Sequence, residues 1–232
     1  MAFNPQTLGE GFHFFVEQER ALLLNSLGIL LHLGAFLMLF LVFRYGNRYR
    51  KAFTAWFALN WLFLFGYWGV WATIYWWGKG LPYLAVYAAT PVLLGLIAWT
   101  WILELLHPTT DLDLRSLPRA RFVVLPILAW GLWYPAYVYG EGFVFSFRDL
   151  LFSSYGLMPC PTTMVVLGLL TLKYPAVNKR LYLLFTVYAL LIGTATVLSG
   201  WLPDIPFIVL GIYALGLHVF LGGGGRKGGS EV

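Results

Sequence analysis

Residues 21–51 read ALLLNSLGILLHLGAFLMLFLVFRYGNRYRK. Ala21 to Phe43 carry no charge, and Arg44, Arg48, Arg50 and Lys51 follow at once. A membrane-crossing helix needs about 20 consecutive apolar residues. An amphipathic helix of a soluble protein shows a polar face at helical spacing instead. This stretch has only Asn25, Ser26 and His32 to offer such a face. It therefore predicts a transmembrane helix ending in a basic cluster, and the rest of the chain repeats the pattern.

Across all 232 residues, 60% are apolar, 19% aromatic and 11% charged. Soluble domains carry about 25% charged residues, so a soluble fold is excluded. Disorder is excluded as well, because disordered chains are poor in aromatics and rich in charge. Cys160 is the only cysteine, which rules out an intrachain disulfide and a multi-cysteine metal site; no metal centre is expected. Glu10, Glu17, Glu19 and Arg20 precede the first apolar run. A signal peptide has a basic start and a short apolar core, so the first span is expected to be retained.

Seven spans are predicted, at about 21–43, 52–77, 83–106, 122–139, 155–172, 181–200 and 206–221. A further apolar stretch, 143–152, is interrupted by Arg148 and Asp149 and suits an interfacial helix. Residues 1–20, with Phe12, Phe14, Phe15 and Val16 among acids, form an external segment that suits a surface helix. Residues 222–232, GGGGRKGGSEV, form a flexible tail. The fold expected is thus an all-α integral membrane protein of seven transmembrane helices.

Seven crossings place alternate connections on one side. Arg44, Arg48, Arg50 and Lys51; Arg115, Arg119 and Arg121; Lys173, Lys179 and Arg180; and Arg226 and Lys227 then share a side. They are twelve of the 15 Lys and Arg residues. Arg20, Lys79 and Arg148 remain opposite. The positive-inside bias puts the N-terminus outside and the C-terminus in the cytoplasm. The net charge of +5 is accounted for by topology, and nucleic-acid binding is not expected. Trp71, Trp76, Trp77 and Trp201 fall near the outer ends of their spans, where amphipathic rings favour the interface.

Polar chemistry is sparse. Glu104, near the inner end of the third span, is expected to pair with Arg115, Arg119 or Arg121. Asn25 and Asn60 read as interhelical hydrogen-bonding groups, and Asp204 as a cap for the seventh span. Of the histidines, His32 lies mid-span, His107 at an inner end and His218 in the inner half of the seventh span. Two facing histidines at one depth would ligate haem or a pigment, and His107 with His218 is the roughly matched pair. The simpler reading of each is a hydrogen bond to a neighbouring helix, so no cofactor is predicted.

The fifth span is unusual: Gly156-Leu157-Met158-Pro159-Cys160-Pro161-Thr162-Thr163. Prolines lack the amide donor and obstruct a continuous helix. The span is expected to be broken here, with regular helix starting near Pro161 behind a cap at Cys160 or Pro159. Non-helical backbone at membrane depth persists only where protein or a water-lined cavity satisfies it. On one reading the amides of Thr162, Thr163 and Met164, with Pro159, Cys160 and Pro161, form a ligand site for an anion or a carbonyl oxygen. On the other, the break is structural and holds nothing.

With Tyr155-Gly156 before it and Gly168, Leu169 and Leu170 after it, Pro159 to Thr163 resembles the P-C-P-T-T block of a bacterial membrane-protein family catalogued as a domain of unknown function. Trp61 to Trp77, Tyr134-Pro135, Gly193 to Ala195 and Pro203-Asp204 are similar in placement. The resemblance spans about residues 20–221. It implies a multi-pass protein of the bacterial cytoplasmic (inner) membrane and transfers no chemistry.

Three functions compete on these residues. The first is an accessory or scaffold subunit, binding lipid, other membrane subunits or itself, with no catalysis of its own. The second is a transporter or receptor for a small neutral or anionic solute held at the broken fifth helix. The third, a thiol enzyme at Cys160, lacks a histidine at helical spacing to serve as base. The first asks least of the sequence and is the expectation.

Overall fold

A computed structural model describes residues 26–77, 81–115, 117–138, 142–145 and 153–222. The segments 1–20 and 223–232 lie outside the described residues, as do Asn25 and most of the 143–152 stretch.

The first described element is α1 (Ser26–Tyr45), whose 20 residues extend roughly 30 Å at about 1.5 Å per residue. A 3-10 turn, Gly46–Tyr49, reverses it into α2 (Arg50–Leu64). The two helices lie close because Gly34 offers no side chain: a Cβ there would come within 2.0 Å of the Trp56 ring. A π-helical segment, Phe65–Gly69, leads into α3 (Val70–Trp77). α4 (Leu81–Leu106) tolerates Pro91 in its interior.

After a loop, a 3-10 turn at Arg119–Val124 feeds α5 (Leu125–Trp133). Two short antiparallel strands follow, β1 (Ala136–Val138) and β2 (Gly142–Val144), with Tyr137 opposite Phe143. Then come α6 (Pro159–Lys173), α7 (Lys179–Leu198), a 3-10 turn at Leu202–Asp204 and α8 (Ile205–Gly222).

Among the described residues, four helical runs are long and apolar enough to cross a membrane: Ser26–Gly69, Ala89–Leu106, Lys179–Leu198 and Leu202–Leu221. The first of these is the α1–α2 hairpin folded at Gly46. Helical segments occur at all seven expected positions, with two departures. The fourth, expected over 122–139, ends at Trp133: Tyr134 is left-handed, at φ 39°, and Pro135 cannot continue a helix. The expected interfacial helix at 143–152 begins instead as strand β2, paired to β1 by backbone hydrogen bonds.

Helix α6 is the axis of the fold. Every residue from Pro159 to Leu172 is buried, so it is covered on all faces, as an apolar helix of its kind requires. α5 packs against it where Gly131 lies beside Met164 and the Pro161 carbonyl. Between α2, α4 and α7 sits an aromatic core. Trp101 stacks on Phe57 with ring centroids 5.6 Å apart, and Trp61 meets Phe185 edge-on at 5.1 Å. The outer faces of α1, α4, α7 and α8 present Leu30, Phe40, Trp99, Leu198 and Phe220, all well exposed. Such continuous apolar surface needs a covering medium.

Three connections meet at one end of the molecule. Asn47 donates to Asp111 at 2.7 Å and accepts from the Leu112 amide at 2.8 Å. Lys173 Nζ lies 2.6 Å from Asp111 Oδ2 and donates to the Asp113 carbonyl at 2.7 Å. The Asp111 amide donates to the Ala176 carbonyl at 2.9 Å. The loops after α1, α4 and α6, each with its basic cluster, are therefore held together.

Candidate functional site: the Pro-Cys-Pro turn

The chain enters α6 through a turn at Ser153–Met158. The amides of Leu157 and Met158 donate to the Ser154 carbonyl at 3.0 and 2.8 Å. Gly156 adopts φ +84°, and a Cβ there would come within 2.9 Å of Ala35. Only glycine both adopts that backbone without strain and admits α1 so closely.

This geometry leaves the carbonyls of Tyr155, Gly156 and Leu157 aimed away from their own helix, and each receives a buried side chain from the first hairpin. His32 Nδ1 is 2.7 Å from the Tyr155 carbonyl oxygen. A carbonyl only accepts, so Nδ1 carries the proton. Asn60 Nδ2 donates to the Gly156 carbonyl at 2.7 Å, and Trp68 Nε1 to that of Leu157 at 2.6 Å. The π-helical segment carries Trp68. Tyr155 returns a bond from its hydroxyl to the Ala35 carbonyl at 3.3 Å. Thr162 closes the turn: its hydroxyl accepts from the Gly156 amide at 2.9 Å and donates to the Met158 carbonyl at 2.6 Å.

The helix begins two residues earlier than its prolines imply. Met158, in extended conformation, is the cap, and Pro159 is the first helical residue. Pro159 and Pro161 fall where amides have no partner within the helix, so both are accommodated. The Thr162 amide donates to the Met158 carbonyl at 3.3 Å, and helix geometry engages those of Thr163 and Met164 in turn. The expectation of three open amides is thereby corrected. Pro159, Cys160, Pro161, Thr162, Thr163 and Met164 are all buried.

Beyond the turn lies a cluster on Asp204, which is fully buried. Tyr134 donates to its Oδ1 at 2.8 Å and Thr196 to its Oδ2 at 2.6 Å. Trp201 Nε1 donates to the Tyr134 hydroxyl at 2.7 Å. The Cys160 thiol neighbours Asp204 and Tyr188. Asp204 thus joins α5, α6 and α7, where the sequence suggested a cap for α8. Tyr134, Tyr188 and Thr196 escaped sequence reasoning, and Trp201, expected at the membrane interface, is instead buried in this cluster.

The opposite end of α6 is closed by Arg121, itself buried. Its guanidinium donates to the carbonyls of Thr171 at 2.8 Å, Leu172 at 3.5 Å, and Tyr174. A cation at a helix C-terminus also meets the favourable end of the macrodipole. Glu104, expected to pair with an arginine, instead accepts from the Thr109 amide and hydroxyl, the Thr110 amide and Asn178 Nδ2, at 2.7–2.9 Å. Four neutral donors replace the ion pair.

The histidines have separate surroundings. His32 serves the Tyr155 carbonyl, His218 Nδ1 lies 2.9 Å from the Tyr174 hydroxyl, and His107 lines a surface pocket. Among the described residues, no three His, Cys, Asp or Glu side chains form a metal-binding group. Comparison with protein-family models, curated proteins and solved structures finds no match.

Proposed function

We propose that the chain is a seven-pass protein of the bacterial cytoplasmic membrane, N-terminus outside and C-terminus inside. It acts as an accessory or scaffold subunit that binds lipid or partner membrane proteins, without catalytic activity of its own. Membership of the family with the P-C-P-T-T block belongs to the same proposal. The observation that carries this reading is the disposition of the Pro-Cys-Pro turn: its carbonyls are taken by His32, Asn60 and Trp68. The polar groups at the break thereby tie helices to one another. The apolar flanks of α1, α4, α7 and α8 supply contact surface for lipid and protein. The convergence of three basic loops at one end supports the sidedness.

The test is extraction from the native membrane in mild detergent, followed by intact-complex mass and a visible absorption spectrum. Other subunits or further copies in fixed ratio are the expected result. A colourless lone protein whose solute uptake is lost in Cys160→Ser and Thr162→Val would overturn the proposal in favour of a solute site.

A further inference from the structure

A pocket of about 540 Å³ opens at the end of the molecule where the basic loops meet, between the C-terminus of α4 and the N-terminus of α7. That volume falls within the range of small-ligand sites, about 300–1,000 Å³. Its floor is Thr100, Leu103 and Val177, and its rim carries His107, Thr109, Lys179 and Arg180. We infer that this pocket binds a phosphate-bearing anion, with Lys179 and Arg180 supplying the charge and His107 a hydrogen bond.

Two of the basic residues at this end are held by neighbouring groups. Arg121 is engaged by the carbonyls that end α6, and Lys173 by Asp111 and Asp113. Lys179 and Arg180 are exposed, and among the described residues neither they nor His107 have an ion-pair partner. Among the described residues no acid lines the pocket, and Glu104 lies behind Thr109 and Asn178. Its carboxylate is buried and turned toward the Thr109 and Thr110 amides and Asn178, so it satisfies its own donors and leaves the rim cationic. The amides of Arg180 and Leu181 at the start of α7 are already taken by Asn178, which accepts from both at 3.1 Å. Side-chain charge around a cavity carries the site. Arg with Lys is a suitable pair for a phosphate, the guanidinium giving a fork of donors and the ammonium a point charge.

Two sources offer this chemistry: the headgroup of an anionic phospholipid, and a soluble phosphate. The lipid source rests on the membrane reading above; the soluble one does not. The full chain is reconstituted in vesicles of phosphatidylcholine with phosphatidylglycerol, released in mild detergent, and weighed intact to count retained lipids, with and without inorganic phosphate. Flotation with the vesicles reads membrane insertion separately. The expected result is selective retention of phosphatidylglycerol. It falls about thirtyfold in the Lys179→Gln/Arg180→Gln variant, the order that two basic side chains contribute at an anionic surface. Arg115→Gln/Arg119→Gln, which removes the same charge from exposed positions at the same end, leaves it unchanged. If phosphate binds instead, displaced by the first pair and not by the second, the anion site stands with a soluble source. Equal losses in both pairs, or neither lipid selectivity nor phosphate binding in a protein that floats with vesicles, would overturn the inference.

Discussion

His32 and Tyr155 lie 123 positions apart in sequence, yet the ring nitrogen of one stands 2.7 Å from the carbonyl oxygen of the other. The bond joins the first helix to the turn that launches the buried α6. With Asn60 and Trp68 beside it, three consecutive carbonyls are bonded to one hairpin. A buried carbonyl left without a donor costs about 1–3 kcal/mol, though such bonds between membrane helices average nearer 0.6 kcal/mol.

His32→Ala, Asn60→Ala and Trp68→Phe should therefore each lower stability by about 1–2 kcal/mol. Thermal unfolding in detergent reads the effect. Three variants as stable as the parent would show that the turn holds its shape without the hairpin.

Arg121 should matter more than its place among surface arginines implies. It donates to three carbonyls at the end of α6. Arg121→Ala is expected to cost about 2–3 kcal/mol, since charge-assisted bonds are lost and buried acceptors remain. Arg121→Lys should recover only part of this, because an ammonium lacks the planar fork. Arg119→Ala, at an exposed position, should be close to neutral. Equal effects at 119 and 121 would contradict the capping role.

Asp204→Asn and Tyr134→Phe should both destabilise, and their double variant should lose less than the sum. The two share the hydrogen bond of 2.8 Å, and residues in one network couple by about 0.5–3 kcal/mol. Strict additivity in a double-mutant cycle would separate them.

Asp111 gives a pH signature. Burial raises its pKa, but the bond from Lys173, the Asp113 amide and Asn47 outweigh this and hold the carboxyl below its ordinary value of 3.8. A group depressed on folding stabilises above its unfolded pKa and loses that contribution as pH falls through the folded one. The stability gap between the parent and Asp111→Asn should be constant above about pH 5 and shrink as the pH drops below the ordinary carboxylate value. Because the pair is partly exposed, the gap should be about 1 kcal/mol or less. A gap that widens in acid would contradict the assignment.

The apolar runs placed the helices well, because length and composition fix a segment such as Ser26–Tyr45 regardless of its neighbours. The break before α6 was legible for the same local reason: prolines act on their own backbone. What eluded the sequence was non-local. Nothing near Glu104 announces Asn178 as its partner, 74 positions on, and the arginines nearer in sequence were the natural guess. Tyr134 to Val138 reads as apolar span. Short apolar runs do not distinguish helix from strand by periodicity, and only the left-handed Tyr134 ends α5. The prolines at 159 and 161 mark the break, but the partners of the preceding carbonyls of Tyr155, Gly156 and Leu157 are His32, Asn60 and Trp68, far away in sequence.

The proposed seven-pass arrangement, with its basic loops inside, underlies both the scaffold reading and the lipid source for the anion pocket. Single cysteines at Arg48, Arg119, Ala176 and Phe145, introduced into a Cys160→Ser background, test it with a membrane-impermeant thiol reagent on intact cells and on inverted vesicles. The first three should label only in inverted vesicles and Phe145→Cys only in cells. Labelling of Arg48→Cys and Phe145→Cys from the same side would contradict the topology.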